Sequence, residues 1–170
     1  MPPSGTWRFG GASRHAAVDR LGEPDLERLI VRYMQAFGPA TVQDIQAWSG
    51  ATRLRGAVDA LGDRLVELRG EDGARLYDLP EAPRPPAETP APVRLLPVWD
   101  NLLLSHADRS RVIPEGRARD LIGRPVVLVD GVAAGGWRFT GERVEVDAGV
   151  AGNVDVAAEA QRLTAWLLDG

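Results

Sequence analysis

The spacing of apolar residues between residues 24 and 79 constrains the fold more than any other feature of this chain. Six apolar side chains recur at intervals of three and four residues, which predicts a helix with one buried face: Leu26, Leu29, Ile30, Tyr33, Met34 and Phe37. Gly38 and Pro39 are predicted to end this helix, because glycine accepts a left-handed cap and proline cannot continue a helix. Thr41 is then a suitable N-cap for a second helix, whose first turn gains negative charge from Asp44.

The same stretch continues with a third helix and a hairpin. The second helix ends at the turn Ser49-Gly50, and a third helix is predicted from about Thr52. Two short strands, 64–69 and 74–79, flank a polar turn that contains glycine. Three helices followed by a hairpin is the element order of a winged helix-turn-helix, which presents a helix and a wing to DNA. The side chains expected on the buried faces of the second and third helices are Val42, Ile45, Trp48, Leu54, Val58 and Leu61.

A proline-rich segment divides the chain into two predicted domains. Residues 80–92 cannot form a helix and are predicted to be an extended, semi-rigid linker. The linker separates the winged helix-turn-helix at 24–79 from a C-terminal α+β domain at 93–170. Residues 1–23 are predicted to form an N-terminal strap.

The C-terminal domain is predicted to be a small antiparallel β-meander with a terminal helix, so the predicted fold class is α+β. A strand over 93–96 is followed by short helices that begin near Asp100 and Pro114. Asp130-Gly131 is a strong signal for a two-residue hairpin turn. The other elements are three strands and a helix at 126–129, 132–140, 143–147 and 155–168. The side chains expected on the apolar face of that helix are Val156, Ala160, Leu163, Trp166 and Leu167.

Composition limits the function classes. The chain has 170 residues and no cysteine, which excludes disulfides and thiolate chemistry. All of its basic side chains are arginines, and the high content of alanine, glycine and proline indicates a GC-rich bacterial source. No apolar run is long enough to span a bilayer and no signal-peptide pattern is present, which predicts a cytoplasmic protein. A net charge of −4 means that nucleic-acid binding would need a local basic patch.

The predicted third helix and hairpin supply one set of candidate DNA contacts. Thr52, Arg53 and Arg55 lie at the predicted start of the third helix, where side chains of a recognition helix reach bases or phosphates. Arg69 and Arg75 flank the predicted wing tip and are candidates for phosphate contact. Two acidic residues at that tip, Glu71 and Asp72, oppose such contact, and the alternative for the helix residues is a solvated surface.

A second candidate set lies in the C-terminal domain. His106, Arg109 and Arg111 belong to the most basic local stretch of the chain, which Arg117, Arg119 and Arg124 continue. Contact with the DNA backbone is one interpretation, and each phosphate contact would steepen the salt dependence of binding by about one counterion. The alternative is that Asp100 and Asp108 tie the loops through caps and ion pairs.

Other chemistries find little support in the sequence. Asp100 or Asp108 could activate water, but no second catalytic partner stands at a useful spacing. His15 and His106 have no nearby ligands for a metal site, no phosphate-binding loop is present, and no cofactor is predicted. Ser105 and His106 are sequence neighbours, which is not a catalytic arrangement. The tryptophans are expected to anchor the core, with Trp99 as a candidate for stacking on a base.

Three motifs carry a resemblance to a known family. The first is Phe37-Gly38-Pro39-Ala40-Thr41 with Asp44 and Trp48-Ser49-Gly50. The second is Leu96-Pro97 with the run from Asp100 to Val112, and the third runs from Val129 to Gly135 and resumes at Trp137-Arg138. In this order they resemble the winged helix DNA-binding proteins common in actinobacteria. That family includes bacterial DNA glycosylases that unhook interstrand crosslinks and give resistance to azinomycin-type agents.

The resemblance covers nearly all of the chain and implies contact with double-stranded DNA. Full-length members of the family resemble three tandem winged helices around a concave surface that faces DNA. Their catalytic signature, Gln-x-Gln or Gln-x-Asp, lies in an N-terminal winged helix, and this chain is expected to begin after that domain. No glutamine here is followed two residues later by Gln or Asp, and Asp44-Ile45-Gln46 has the reversed order. The resemblance therefore implies the fold and the DNA contact but not the catalysis.

Three functions remain open from the sequence. The first is a non-catalytic DNA-binding member of this family, and the second is part of an active glycosylase whose catalytic domain lies elsewhere. The third is a protein-interaction scaffold, which the acidic net charge favours. The oligomeric state, the DNA sequence or lesion, and the question of any remaining catalysis stay undetermined.

Overall fold

The computed structural model describes residues 25–169 and confirms the α+β class. The predicted strap, 1–23, lies outside these residues, as does His15. The first part of the described chain consists of α1 (Leu26–Phe37), α2 (Val42–Ser49), α3 (Arg55–Leu61), a 3-10 turn (Gly62–Arg64), β1 (Val66–Arg69) and β2 (Arg75–Asp78). The second part consists of β3 (Arg94–Leu96), α4 (Asn101–Leu104), α5 (Ala118–Leu121), β4 (Val126–Val129), β5 (Val132–Phe139), β6 (Val144–Val146) and α6 (Val154–Asp169).

Helices α1 to α3 and the hairpin β1–β2 enclose the first apolar cluster. The periodic residues of α1 are buried as predicted at Ile30, Tyr33 and Met34. The other buried members come from the chain that follows α1: Ala40, Ile45, Leu54, Val58, Leu61 and Tyr77. An antiparallel bridge between Ala40 and Tyr77 fastens the hairpin to the segment that enters α2. The hairpin is thereby fixed against the N-terminal end of α2.

The helix ends differ in part from the expectations. Gly38 ends α1 as predicted, but its φ of −56° is not left-handed, so the predicted left-handed cap is wrong there. Gly50 does adopt a left-handed conformation, with φ of 72°, after α2. The third helix begins at Arg55 and not at Thr52, because Arg53 has φ of 60° and breaks the helical run. Thr52 and Arg53 therefore lie in the turn before α3.

Strands β3, β4, β5 and β6 form one antiparallel sheet in that order. Asp130 and Gly131 both have positive φ in the turn between β4 and β5, as the hairpin signal predicted. A register shift between Val127 and Leu128 leaves one extra residue on β5, which is a bulge beside Gly135. The sheet is continuous across this bulge.

The sheet separates two apolar clusters because alternate residues of β4 face opposite sides. Val126 and Leu128 pack with Leu103, Ile113 and Leu121 on the side of α4 and α5. Val127 packs on the other side, in a cluster whose buried members also include Val93, Val150 and Val156. Helix α6 enters this second cluster through Val156. The described C-terminal part is thus a sheet with helices on both faces.

Several predicted positions are corrected by the structure. Trp166, expected on the buried face of α6, is 71% exposed, and Trp99 and Trp48 are 64% and 39% exposed. The prediction that tryptophans anchor the core is therefore wrong for Trp48 and Trp166, both of which lie in the last turn of a helix. The second short helix begins at Ala118 and not at Pro114. Among residues 25–169, none of the helices combines the length and the apolar character that a membrane span requires.

Candidate nucleic-acid interface

A cleft of about 760 Å³ lies where the hairpin, the start of α2 and the loop after α4 meet. Two segments provide walls of the cleft: the hairpin, through Arg69 and the following turn residues, and the loop after α4, through Asp108 and Arg111. Thr41, Gln43 and Asp44 of the α2 N-terminal region also line the cleft. The fold therefore brings one residue of each candidate set, Arg69 and Arg111, to a single cleft.

The loop at residues 105–111, called here the 105–111 loop, is held by buried side chains of α1 and α2. The hydroxyl of Tyr33 donates to the Ser105 carbonyl at 2.6 Å. The backbone N–H of Ala107 donates to Oδ1 of Asp44 at 2.8 Å. The ring of His106 packs edge-on against Tyr33, with 6.3 Å between centroids. These contacts join parts of the chain on either side of the proline-rich segment.

The carboxylate of Asp44 accepts three hydrogen bonds. The residue is only 4% exposed. Its Oδ2 accepts hydrogen bonds from the Thr41 N–H and from the Thr41 hydroxyl, both at 2.8 Å, and its Oδ1 accepts from Ala107. Thr41 Oγ1 in turn accepts from the Asp44 N–H at 3.1 Å, which completes a capping box. Sequence reasoning found the cap but missed the bond to Ala107, because only the tertiary fold brings the two residues together.

The reversed motif Asp44-Ile45-Gln46 has a structural role. Oε1 of Gln46 accepts from the Leu54 N–H at 3.0 Å and so orders the turn before α3. Ile45 is fully buried in the first cluster. With Asp44 in the capping box, all three side chains are used by the fold.

The cleft carries charges of both signs. Beside Arg69 and Arg111 it is lined by acidic side chains, which are Asp44, Glu71, Asp72 and Asp108. The pKa of Asp108 lies below its usual value because its carboxylate accepts from the N–H and the hydroxyl of Ser110. The cleft is therefore not a uniformly basic surface, and the arginines in its lining are Arg69 and Arg111.

The arginines of the two candidate sets differ in their ion pairing. Arg55 lies 4.0 Å from Asp59 and donates to the Tyr77 hydroxyl at 2.6 Å, and Arg75 lies 3.2 Å from Glu67. Within the described residues, no ion pair involves the four remaining candidates, which are Arg53, Arg69, Arg109 and Arg111. The positive charges of Arg55 and Arg75 are thus partly neutralised by neighbouring carboxylates.

Only part of the candidate set meets at the cleft. Arg69 and Arg111 line it, whereas Thr52, Arg53, Arg55 and Arg75 do not. Arg109 lies within the 105–111 loop, and its Nε is buried without a hydrogen-bond partner among the described residues. His106, also in the 105–111 loop, is half-buried and does not line the cleft either. Of the predicted DNA-contacting residues, one from the hairpin and one from the 105–111 loop therefore line the cleft.

Asp100 serves as a helix cap. Its carboxylate accepts from the Leu102 N–H at 2.9 Å at the start of α4, as the sequence predicted. Residues 25–169 also contain no group of three His, Cys, Asp or Glu side chains arranged to hold a metal ion. Ser105 Oγ and His106 Nδ1 are 2.8 Å apart, but the serine is buried and out of reach of a substrate.

Replacing Asp100 tests its role as the N-cap of α4. We expect Asp100→Ala to lower the free energy of unfolding by about 1 kcal/mol, because the cap of α4 is lost, and Asp100→Asn to retain it, since Asn caps as well as Asp. Urea unfolding followed by circular dichroism measures both variants. Equal losses in the two variants would contradict the capping assignment.

The environment of His106 lowers its pKa. Burial is the main cause, and the positive charge of Arg111 adds to it, whereas Asp44, Asp108 and the Pro39 carbonyl act in the opposite direction. Nε2 is buried, and no carbonyl among the described residues, that of Pro39 included, meets hydrogen-bond geometry with it. The folded protein therefore holds His106 in its neutral form more strongly than the unfolded chain does.

This shift predicts a pH dependence of stability. The unfolded chain takes up the His106 proton near pH 6.5, before the folded protein does, so acidification favours unfolding. We expect stability to fall as the pH drops from 7.5 to 5.5 and to level off below the lowered pKa. Thermal unfolding at a series of pH values measures this, and His106→Gln should flatten the dependence. The chain's second histidine provides the matched control, and a flattening by His15→Gln instead would contradict the assignment.

Comparison with solved structures and family models identifies the class of protein. The chain matches the DNA glycosylase AlkZ of Streptomyces sahachiroi with a TM-score of 0.66 and 26% sequence identity. The match covers 81% of this chain and 42% of that structure, so the chain spans less than half of that protein's length. No curated protein sequence matches the chain. The class is therefore that of DNA glycosylase-like α+β proteins.

The family follows from the sequence model. The model described as "DNA glycosylase AlkZ-like" matches residues 1–166. The chain thus belongs to the AlkZ-like DNA glycosylase family. The resemblance inferred from the three sequence motifs is confirmed at the level of the family.

Proposed function

We propose that this chain binds double-stranded DNA through backbone phosphates and does not itself catalyse base removal. The observation that carries the proposal is the convergence of Arg69 and Arg111 on one cleft, with neither residue in an ion pair among the described residues. Membership of a DNA glycosylase family supports DNA as the partner. Guanidinium groups suit this role because they donate to phosphate oxygens in a fixed geometry.

The proposal includes the winged helix-turn-helix assignment of residues 24–79. Helices α2 and α3 and the hairpin have the order that such domains use to contact DNA. The division into 24–79, a linker at 80–92 and a domain at 93–170, with a strap at 1–23, is part of the same proposal. The acidic residues beside Arg69 and Arg111 favour weak contact that tolerates different sequences. The cytoplasmic location stays a prediction from the sequence.

The salt dependence of duplex binding tests the proposal. Two phosphate contacts predict an affinity about tenfold lower at 200 mM than at 50 mM salt, since the slope is about −0.9 per contact on logarithmic axes. Fluorescence anisotropy with a labelled duplex of random sequence measures it. Absence of binding at 50 mM salt would overturn DNA binding and favour the scaffold, whose signature is a mass that rises with protein concentration.

A second candidate function is that of a component of an active glycosylase. The observation that favours it is the match to AlkZ over 42% of that enzyme's length. The catalytic Gln-x-Gln or Gln-x-Asp signature would then come from a separate segment or chain. Release of a modified base from alkylated DNA by the chain alone would refute the non-catalytic proposal. Release only after addition of a partner that carries the signature would support this second candidate.

A further inference from the structure

The segment from Ala40 to Asp44 contacts both walls of the cleft. At one end, the N–H of Ala40 donates to the Tyr77 carbonyl at 3.0 Å, and the N–H of Tyr77 donates back at 2.8 Å. These bonds fix strand β2, which is paired with the strand that carries Arg69. At the other end, Asp44 accepts from Ala107 in the loop that carries Arg111. The same five residues therefore relate the hairpin to the 105–111 loop.

Tyr33 supplies a second bond to the same loop. Its side chain is buried and its hydroxyl donates to Ser105, two residues before the Asp44 contact. Burial and the negative charge of Asp44 raise the pKa of Tyr33, so the hydroxyl keeps the proton that it donates. The loop is thus bound twice on its backbone, at Ser105 and Ala107. Beyond these points, Asp108, Ser110 and Arg111 line the cleft.

We infer that Asp44 and Tyr33 are positioning residues that set the separation of Arg111 from Arg69 across the cleft. The inference rests on the proposed function, because the separation matters only if the two arginines contact the same DNA backbone. Neither residue needs to touch DNA, since each acts through the loop. Asp44 has the larger effect of the two because a bond to a carboxylate is stronger than one between neutral groups.

Hydrogen exchange and duplex binding together test this inference. In Asp44→Ala the Ala107 amide loses its acceptor, and we expect it to exchange at least about tenfold faster. We also expect duplex affinity to fall about threefold to tenfold and the salt slope to drop by about one, because one arginine loses its register with the phosphates. The loss of a negative charge from the cleft lining would by itself raise the affinity, so a fall in affinity supports the positioning role. Tyr33→Phe should give a smaller change of the same kind. Because Tyr33→Phe keeps the ring in the core, it remains informative if Asp44→Ala fails to fold.

Asp25→Ala is the matched control. It likewise removes a carboxylate that caps a helix, here α1, but it lies outside the cleft lining and leaves the bond between Asp44 and Ala107. We expect unchanged exchange at Ala107 and an unchanged salt slope at a temperature where all variants are folded. A purely structural role of Asp44 would affect both variants alike.

The outcomes distinguish this inference from the proposed function. Wild-type protein that fails to bind duplex DNA overturns the proposed function and, with it, the positioning role. Wild-type protein that binds, together with Asp44→Ala and Tyr33→Phe proteins that bind with the same affinity and salt slope, overturns the inference alone. Unchanged exchange at Ala107 in Asp44→Ala would also overturn it.

Discussion

Replacing Arg69 and Arg111 together by alanine should lower the affinity for duplex DNA about 100-fold. Each guanidinium is expected to donate a charge-assisted hydrogen bond to a phosphate, and the loss of one such bond corresponds to about a tenfold change. The salt dependence should nearly disappear, since the two counterions released by these contacts are no longer displaced. Fluorescence anisotropy at 50, 100 and 200 mM salt measures affinity and slope in one series.

A control with the same change in net charge accompanies this variant. Arg138 on β5 and Arg143 just before β6 are exposed, and both pair with Glu145 of β6, away from the cleft. We expect Arg138→Ala/Arg143→Ala to bind DNA within about threefold of the wild type, because only the long-range effect of charge is altered. Equal losses in the two double variants would show that net charge and not the cleft determines binding.

Replacing Ile45 by alanine should lower the free energy of unfolding by about 2–5 kcal/mol. The side chain is fully buried between α1, α3 and the hairpin, and truncation removes apolar contacts and leaves a cavity. The free energy comes from urea unfolding followed by circular dichroism. Unfolded protein does not form the cleft, so the variant should also weaken duplex binding under conditions where part of it is unfolded.

An exposed truncation of the same chemical kind provides the comparison for Ile45. Leu168 in α6 is 56% exposed, and Leu168→Ala should change the free energy of unfolding by less than about 0.5 kcal/mol. A loss of less than about 1 kcal/mol in Ile45→Ala would contradict the packing of α2 against α1 and α3. A large loss in Leu168→Ala would indicate that α6 is covered by another part of the protein.

Local signals in the sequence predict most of the described fold. The three- and four-residue spacing in α1 requires a buried stripe, and Asp130-Gly131 requires a tight hairpin, so both features follow without tertiary information. The start of the third helix could not be predicted in the same way. Arg53 takes a positive φ that arginine rarely adopts, and the acceptor that orders the following Leu54 is the side chain of Gln46. That hydrogen bond crosses the turn between α2 and α3, and no pattern of apolar residues in the sequence indicates it.

The candidate site was predictable in its parts but not in its arrangement. Arg69 and Arg111 were found as basic residues beside a turn and in a basic stretch, and the sequence could not indicate that they share a cleft. Their proximity depends on the bonds of Asp44 to Ala107 and of Tyr33 to Ser105, which join residues far apart in the chain. Helical spacing identifies Tyr33 only as a core residue, since its hydroxyl bond depends on the distant loop.

Trp48 and Trp166 illustrate a further limit of pattern reading. Both occupy positions where helical spacing predicts burial, yet both are exposed. Trp48 lies at the last turn of α2, where its ring packs edge-on against Tyr33 and in a tilted arrangement against Phe37. Periodicity gives the direction of a side chain but not the extent of the neighbouring layer, so rings near helix ends are the least predictable.

The proline-rich segment gives the chain freedom to vary in length. Arg84 anchors its beginning, where it donates to the Leu79 carbonyl at 2.7 Å and lies 3.5 Å from Asp78. Beyond Arg84, residues 85–92 form no helix or strand, and the bonds that join the two parts of the molecule lie outside the segment. Doubling the length of such a connection costs only about 0.6 kcal/mol in closure entropy. An insertion in this segment should therefore leave Arg69 and Arg111 in place at the cleft, which makes residues 85–92 a suitable site for engineered fusions.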